Sequence, residues 1–234
     1  MSRGFFITGT DTGVGKTVIA GLIIRALSIL GFKTAGMKPV ETGCIRQKDV
    51  LIPSDGTFLK NVSHMDEGIN HIVPYCLEAP LAPMTASEME GIDISPEKIK
   101  GAFDELKRRY DAVVVEGIGG LLVPLKKDYF VLDMIKDMGL PLIVVTRPSL
   151  GTINHTLLTV RYAKMEGIEI AGIIINYSSP SQGTQAEETS PHVISVLSPV
   201  PVIGIIPHLS DLGKETLEKI ATKSLLFDII RKYL

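Results

Sequence analysis

The sequence predicts an α/β fold, a doubly wound and mainly parallel sheet flanked by helices. Three observations predict it. Short apolar runs rich in β-branched residues recur at 4–8, 34–38, 112–116, 142–146, 170–176 and 202–206. Stretches with helical apolar spacing lie between them, at 16–30, 96–109, 129–138 and 152–166, and a last one runs from 212 to the C-terminus. Several of the apolar runs are near-continuous, as strands covered on both faces must be; a half-exposed antiparallel sheet would alternate. Parallel strands then require right-handed crossovers.

Each element has a local cause. Run 4–8 leads into the glycine-rich segment from Gly9 to Gly15, and the helical spacing of 16–30 follows it, closed by Gly31. Run 34–38 ends at Pro39, which fixes the exit of the chain. Ser54-Asp55 opens a helical stretch, and Asp55 taken alone reads as an N-cap or a first-turn partner of the helix dipole. Ser95-Pro96-Glu97 is an N-cap with Pro at the first helical position, so a helix runs over 96–109. Gly139 and Gly167 close the helices of 129–138 and 152–166. The least patterned regions are 39–53, 75–93 and 177–191. The last is rich in Ser, Gln, Gly, Thr and Glu and reads as a mobile surface loop. There is no internal repeat and no linker, and 234 residues fit one domain over 1–234. A chain of that length buries roughly 70% of its unfolded surface without staples.

Bulk composition excludes several classes. The two cysteines, Cys44 and Cys76, form no CxxC and read as inert thiols in a reducing compartment. A net charge of −2 supplies no basic field to hold nucleic acid. No apolar run reaches the ~18 residues of a membrane span. A strand by residue 4 leaves no room for a leader peptide. The expectation is a cytoplasmic protein that engages neither nucleic acid nor membrane. The five histidines (64, 71, 155, 192 and 208) show no metal-ligand spacing, and no Ser-His-Asp pattern suggests itself. Met134, Met138 and Met165 fall in helical stretches and read as core filler or ordinary helix positions.

The chemistry begins at Gly9-Thr10-Asp11-Thr12-Gly13-Val14-Gly15-Lys16-Thr17. A strand, a glycine-rich loop and a helix, in that order, make a phosphate cradle. The loop N–H groups point inward, and the new helix adds about half a positive charge at its N-terminus. Lys16 reaches β- and γ-phosphates, and the Thr17 hydroxyl can ligate a phosphate-bound Mg²⁺. A bare glycine-rich nonapeptide is often a tight turn. Here Gly-Lys-Thr and the flanking strand and helix favour a P-loop that binds a nucleoside triphosphate, one residue longer than the common pattern.

In a doubly wound sheet, ligands bind beyond the carboxyl ends of the strands. Polar residues interrupt the apolar pattern at those ends: Thr8-Gly9, Lys38, Glu116, Thr146-Arg147, Asn176 and Pro207-His208. A lysine at a strand end is commonly a solvated charge, but Lys38 beside Lys16 would stabilise charge on a transferring phosphoryl group. Glu116 closes Val113-Val114-Val115 at the Walker-B position, where it and Thr17 would supply oxygen ligands to Mg²⁺. Gly119-Gly120 is either a plain turn or a place where backbone approaches a ligand. Asn176 is either a turn former or a reader of a base edge.

Four segments together resemble dethiobiotin synthetase: Gly9 to Thr17, Lys38-Pro-Val-Glu-Thr-Gly43, Val115-Glu-Gly-Ile-Gly-Gly120 and Leu150-Gly-Thr-Ile-Asn-His155. The resemblance covers about residues 3–210. The extended P-loop is shared with amidotransferase-type synthases and partition ATPases; the second and fourth segments are more specific. The resemblance implies an ATP-dependent carboxylase and cyclo-ligase that converts 7,8-diaminononanoate and CO₂ to dethiobiotin, with ADP and phosphate released. It implies Lys16 and Lys38 as the groups that stabilise phosphoryl transfer, and Thr17, Asp55 and Glu116 as Mg²⁺ ligands. ATP would lie against Thr12, Gly13, Val14, Gly15, Lys16, Thr17 and Val18, with its base at Asn176, Pro207 and His208. Thr42, where Ser is usual, would contact the carbamate, and Gly119 is assigned to the substrate as well. Gly151, Thr152 and Asn154 match a helix N-terminus that binds the diamino acid carboxylate across a homodimer. Gly13 departs from members that carry Glu there, and 177–191 matches poorly. The rival expectations are a P-loop switch ATPase acting on a protein partner and a non-catalytic nucleotide-sensing domain. The first usually carries an early signature lysine where this loop has Thr10-Asp11. The second should lack Lys16, Lys38 or Glu116. The preferred base is not legible.

Overall fold

Six strands form the central sheet of the computed structural model, which describes residues 3–234. They are β1 (Gly4–Gly9), β2 (Thr34–Met37), β3 (Ala112–Glu116), β4 (Leu142–Thr146), β5 (Ile170–Asn176) and β6 (Val202–Ile206). Their spatial order is β2-β3-β1-β4-β5-β6 and every pairing is parallel. The chain runs outward from β1 to β2, returns to β3, then crosses to the other side of β1. Strand order therefore reverses around β1, which sets the ligand crevice at its carboxyl end.

Ten helices surround the sheet among the described residues: α1 (Lys16–Ile29), α2 (Ser54–Ser63), α3 (Ile69–Ile72), α4 (Pro83–Glu90), α5 (Pro96–Arg109), α6 (Val131–Met138), α7 (Thr152–Met165), α8 (Gln185–Leu197), α9 (Lys214–Ser224) and α10 (Phe227–Arg231). Successive strand residues serve opposite faces. Phe5 and Ile7 of β1 pack with Ile23 of α1, Val114 and Leu217 of α9. Phe6 joins Val113, Val115, Phe103 of α5 and Ile135 of α6 in the other layer. Both faces are covered, which is why the strand runs are continuously apolar. Each large side chain buried this way contributes about 1.5–3 kcal/mol. No helix among the described residues is long and apolar enough to cross a membrane.

The six strands fall where the apolar runs placed them. Ser95 caps α5, its Oγ accepting the Lys98 N–H at 3.1 Å. Gly139 ends α6 at φ 62°, a left-handed conformation that side chains resist.

Four expectations need correction. The unpatterned 177–191 segment is a loop only to Thr184, because α8 begins at Gln185. Thr184 and Glu187 form a capping box: Thr184 Oγ1 accepts the Glu187 N–H and Glu187 Oε2 accepts the Thr184 N–H, both at 3.3 Å. Pro191 inside this helix has no N–H for the Glu187 carbonyl four residues earlier. The Tyr177 hydroxyl donates to that carbonyl at 3.1 Å, which makes the proline tolerable and pins the segment. Within 75–93, α4 starts with Pro83 at its first turn and stops at Gly91. The expected C-terminal helix from 212 is two helices, broken where Leu225 bridges Gly204 and the Leu226 N–H donates to the Ile203 carbonyl at 2.9 Å. Pairing with the edge of β6 outcompetes helix continuation there. The 129–138 stretch is helical only from Val131, since Tyr129–Phe130 pair with Pro124–Lys126.

Candidate active site

The chain leaves β1 held from both sides. The Gly9 N–H donates to the Gly119 carbonyl at 3.2 Å and the Thr10 N–H to the Val145 carbonyl at 2.9 Å. The loop then turns into α1 at Gly15, where φ is 87°. A Cβ at Gly15 would also strike the Asn176 amide, so glycine is required on two counts. Asn176, closing β5, donates Nδ2 to the Val14 carbonyl at 2.9 Å and so braces the loop from outside. No side chain caps α1, and its first N–H groups are left to a ligand at the helix N-terminus.

Lys16 Nζ donates to the Asp11 carbonyl at 3.2 Å. Burial first, and then the nearby Lys38 ammonium, pull its pKa down to about 8. Lys38, immediately beyond β2, behaves in the opposite way. Burial opposes its charge, but Glu116 and Asp55 outweigh burial and hold it above the ordinary lysine range. Its Nζ lies 2.6 Å from Glu116 Oε1 and 2.9 Å from Asp55 Oδ2, and donates to the Gly117 carbonyl at 3.3 Å. The Thr17 hydroxyl donates to the same Glu116 Oε1 at 2.9 Å. Burial pushes the Glu116 carboxyl upward, against the pull of Lys38. The other oxygen, Oε2, is buried without a partner. Such an orphan costs about 1–3 kcal/mol until something fills the position.

These groups share one cavity of about 590 Å³. Thr12, Gly13, Gly15, Lys16, Thr17 and Val18 line it from the P-loop and α1. Lys38, Thr42, Asp55, Glu116 and Gly119 line it from the neighbouring elements, and Asn176 and His208 from the far rim. Asp55 is not an N-cap: Pro53 holds that position, and Asp55 sits in the first turn of α2 with its carboxylate on Lys38.

Other expected residues lie elsewhere. The Val14 side chain is fully buried in the core, and only its carbonyl is used, by Asn176. Pro207 is not among the lining residues, although His208 beside it is. Gly151, Thr152 and Asn154 do not reach the cavity of their own chain. Thr152 is committed internally: its hydroxyl lies 2.7 Å from Thr146 Oγ1 and its N–H donates to the Ser149 carbonyl. Thr10 and Thr156 donate to that same Thr146 oxygen, so a knot of hydroxyls ties α7 to the P-loop.

Two features escaped the sequence reading. Leu81, Ala82 and Pro83, from the unpatterned 75–93 region, join Ile118 and Val123 as an apolar wall. Pro83 at the first turn of a helix was the available signal. Glu41 is buried and caps α2 from outside, accepting the Asp55 N–H and the Gly56 N–H, each at 2.9 Å. Nothing local marks that pairing.

Comparison with known proteins identifies the relatives of this chain. A family described as an AAA domain matches residues 3–216. The ATP-dependent dethiobiotin synthetase BioD of Thermodesulfovibrio yellowstonii is 48% identical over 98% of this chain and 98% of its own length. The Bacillus subtilis enzyme of the same name is 42% identical over 92% of this chain and 91% of its own. Among solved structures, the septum site-determining protein MinD of Pyrococcus horikoshii, complexed with Mg-ADP, superposes with TM-score 0.59 at 18% identity, covering 94% of this chain and 95% of its own. A ParA family ATPase from Chlorobium tepidum gives TM-score 0.53 at 20% identity over 99% of this chain and 97% of its own. These two share the fold. The near-full-length identity of the first two decides the family: the chain belongs to the ATP-dependent dethiobiotin synthetases.

Proposed function

We propose that this chain, working as a single domain, uses ATP to carboxylate and cyclise 7,8-diaminononanoate to dethiobiotin. The observation that carries the reading is the convergence of Lys16, Lys38, Thr17, Asp55 and Glu116 on one cavity at the switch point of the sheet. No protein nucleophile is needed, and positioning with electrostatics does the work. One substrate amine takes up CO₂ as a carbamate. A carbamate oxygen attacks the γ-phosphorus and ADP departs. The second amine then attacks the carbonyl carbon, closes the five-membered ring and expels phosphate.

The roles of the residues follow from their surroundings. The uncapped start of α1 and Lys16 hold the β- and γ-phosphates. Lys38 is kept charged by its two carboxylates and faces the transferring phosphoryl group, whose oxygens gather charge in the transition state. Thr42 offers its hydroxyl to the carbamate, and the apolar wall at Leu81–Pro83 takes the alkyl chain. Holding carbamate and γ-phosphate in attack geometry supplies roughly 7–11 kcal/mol of the barrier.

Mg²⁺ fits the residues present. Two ammoniums and two carboxylates leave the cavity near neutral, so an incoming triphosphate needs added positive charge. Thr17, Asp55 and Glu116 are hard oxygen donors, and Glu116 Oε2 lacks a partner. These three would hold the ion, which when bound neutralises charge on the phosphate oxygens. Gly151 and Asn154 lie outside their own cavity, as a segment donated to a second copy would. We therefore take the working form to be a cytoplasmic homodimer with shared sites.

Substrate omission tests the reading. ADP release should require both diaminononanoate and bicarbonate. Hydrolysis without either, stimulated by a protein partner, would instead establish a switch ATPase.

A further inference from the structure

Glu41 has no part in the chemistry above, yet it is among the most constrained polar residues of the chain. It is 4% exposed, three residues after Lys38 and directly before Thr42. A carboxylate so buried must find donors. It finds three, all at the first turn of α2. Oε1 accepts the Asp55 N–H at 2.9 Å and the Ser54 hydroxyl at 3.2 Å, and Oε2 accepts the Gly56 N–H at 2.9 Å. The N-cap of α2 is Pro53, which makes no side-chain cap, so Glu41 supplies from another element what the helix lacks. Glu41 is itself held, since its carbonyl accepts the Leu77 N–H at 2.8 Å. The same residue whose N–H it grips, Asp55, points its carboxylate at Lys38 Nζ, 2.9 Å away.

We propose that Glu41 is a positioning residue for phosphoryl transfer. It fixes the start of α2, so that the Asp55 carboxylate is aimed at Lys38 and at the cavity. The inference rests on the reading of Asp55 and Lys38 given above. Partners standing behind a ligand in this way typically shift metal affinity or activity by about 10- to 100-fold when removed. Glu41→Gln replaces one acceptor arm with an amide that faces an N–H donor, and so breaks the clamp with little change of volume.

The test is a double-mutant cycle on the full chain with Glu41→Gln, Asp55→Asn and the pair, measuring kcat, the Mg²⁺ concentration at half-saturation, and amide hydrogen exchange of the metal-free protein. Glu41→Gln should raise the half-saturating Mg²⁺ about 10-fold or more and lower kcat. It should speed exchange at the Asp55 and Gly56 amides without ligand, and the pair should be no worse than Asp55→Asn alone. Ser54→Ala removes one contact of three and should shift the same quantities in the same direction by less, which keeps the test valid should Glu41→Gln fail to fold. Loss of folded protein with unchanged Mg²⁺ dependence, or additive effects in the pair, overturns the inference. An impaired Asp55→Asn beside a silent Glu41→Gln overturns it alone. A silent Asp55→Asn overturns it together with the reading of Asp55 on which it rests.

Discussion

Lys38 Nζ and Glu116 Oε1 stand 2.6 Å apart, both residues almost wholly buried, at the ends of the adjacent strands β2 and β3. The pair gives the cavity a cation that cannot readily lose its proton. It also makes each partner a condition for the other, because removing one leaves a buried charge unmatched.

Lys38→Ala should therefore do two things. Turnover should fall by ~100-fold or more while ATP affinity changes far less, because the ammonium acts mainly on charge that develops in the transition state. Stability should fall by about 3–5 kcal/mol, the range for a buried pair broken from one side. Without Lys38, Glu116 takes up a proton more readily in the folded state than in the unfolded one. The stability deficit should then shrink on acidification. Steady-state kinetics, nucleotide titration and thermal melts across pH check this; equal losses in kcat and affinity would make Lys38 a binding residue.

Lys16 sets a pH dependence of the opposite kind. Its pKa is about 8 in the folded chain against the ordinary lysine value of 10.5. Between those values the unfolded chain holds the extra proton, so the stability contribution of this group rises with pH across that window. The penalty for burying the charge is present in full below about 8. Triphosphate favours the charged form, so ATP affinity should fall as pH climbs above about 8, with a proton taken up on binding. Calorimetry near pH ~9 in buffers of different ionisation enthalpy measures the uptake. Lys16→Arg, which stays charged, should abolish it. Binding without proton uptake in the native chain would contradict the assignment.

The Tyr177 hydroxyl replaces the N–H that Pro191 lacks. Tyr177→Phe should destabilise the chain by about 0.5–1.5 kcal/mol, lowering Tm by roughly 1–6 °C at this size. In a Pro191→Ala background the new N–H serves the Glu187 carbonyl, and the same change should cost nearly nothing. A cost that is equal in both backgrounds would refute the account.

Shared sites make a further demand. If Gly151 and Asn154 serve a neighbouring copy, Lys38→Ala and Asn154→Ala protomers should each be nearly inactive alone. A mixed dimer contains one site with both changes and one with neither. Unfolding and refolding the two variants together in equal amounts should restore about a quarter of the native activity. No recovery, in mixtures shown to exchange subunits, would remove the shared-site proposal.

The amino-acid sequence alone determined what depends on neighbours along the chain. Continuous apolar runs marked the six strands. Ser95-Pro96 and Gly139 marked helix ends. The contiguous Gly9–Thr17 segment announced phosphate binding, and Lys38 and Glu116 were visible because each interrupts an apolar run at a strand end. Tertiary structure alone decided which of these groups meet. Glu41 reaches Ser54 across 13 positions, Lys38 reaches Glu116 across 78, and Asn176 reaches Val14 across 162. No periodicity encodes contacts at such separations. They arise when parallel strands align their carboxyl ends at one rim, and burial there forces every charge and N–H to find a partner. The proline within α8 belongs to the same class: local propensity forbade it, and the Tyr177 hydroxyl, ten residues before the Glu187 carbonyl it serves, permitted it.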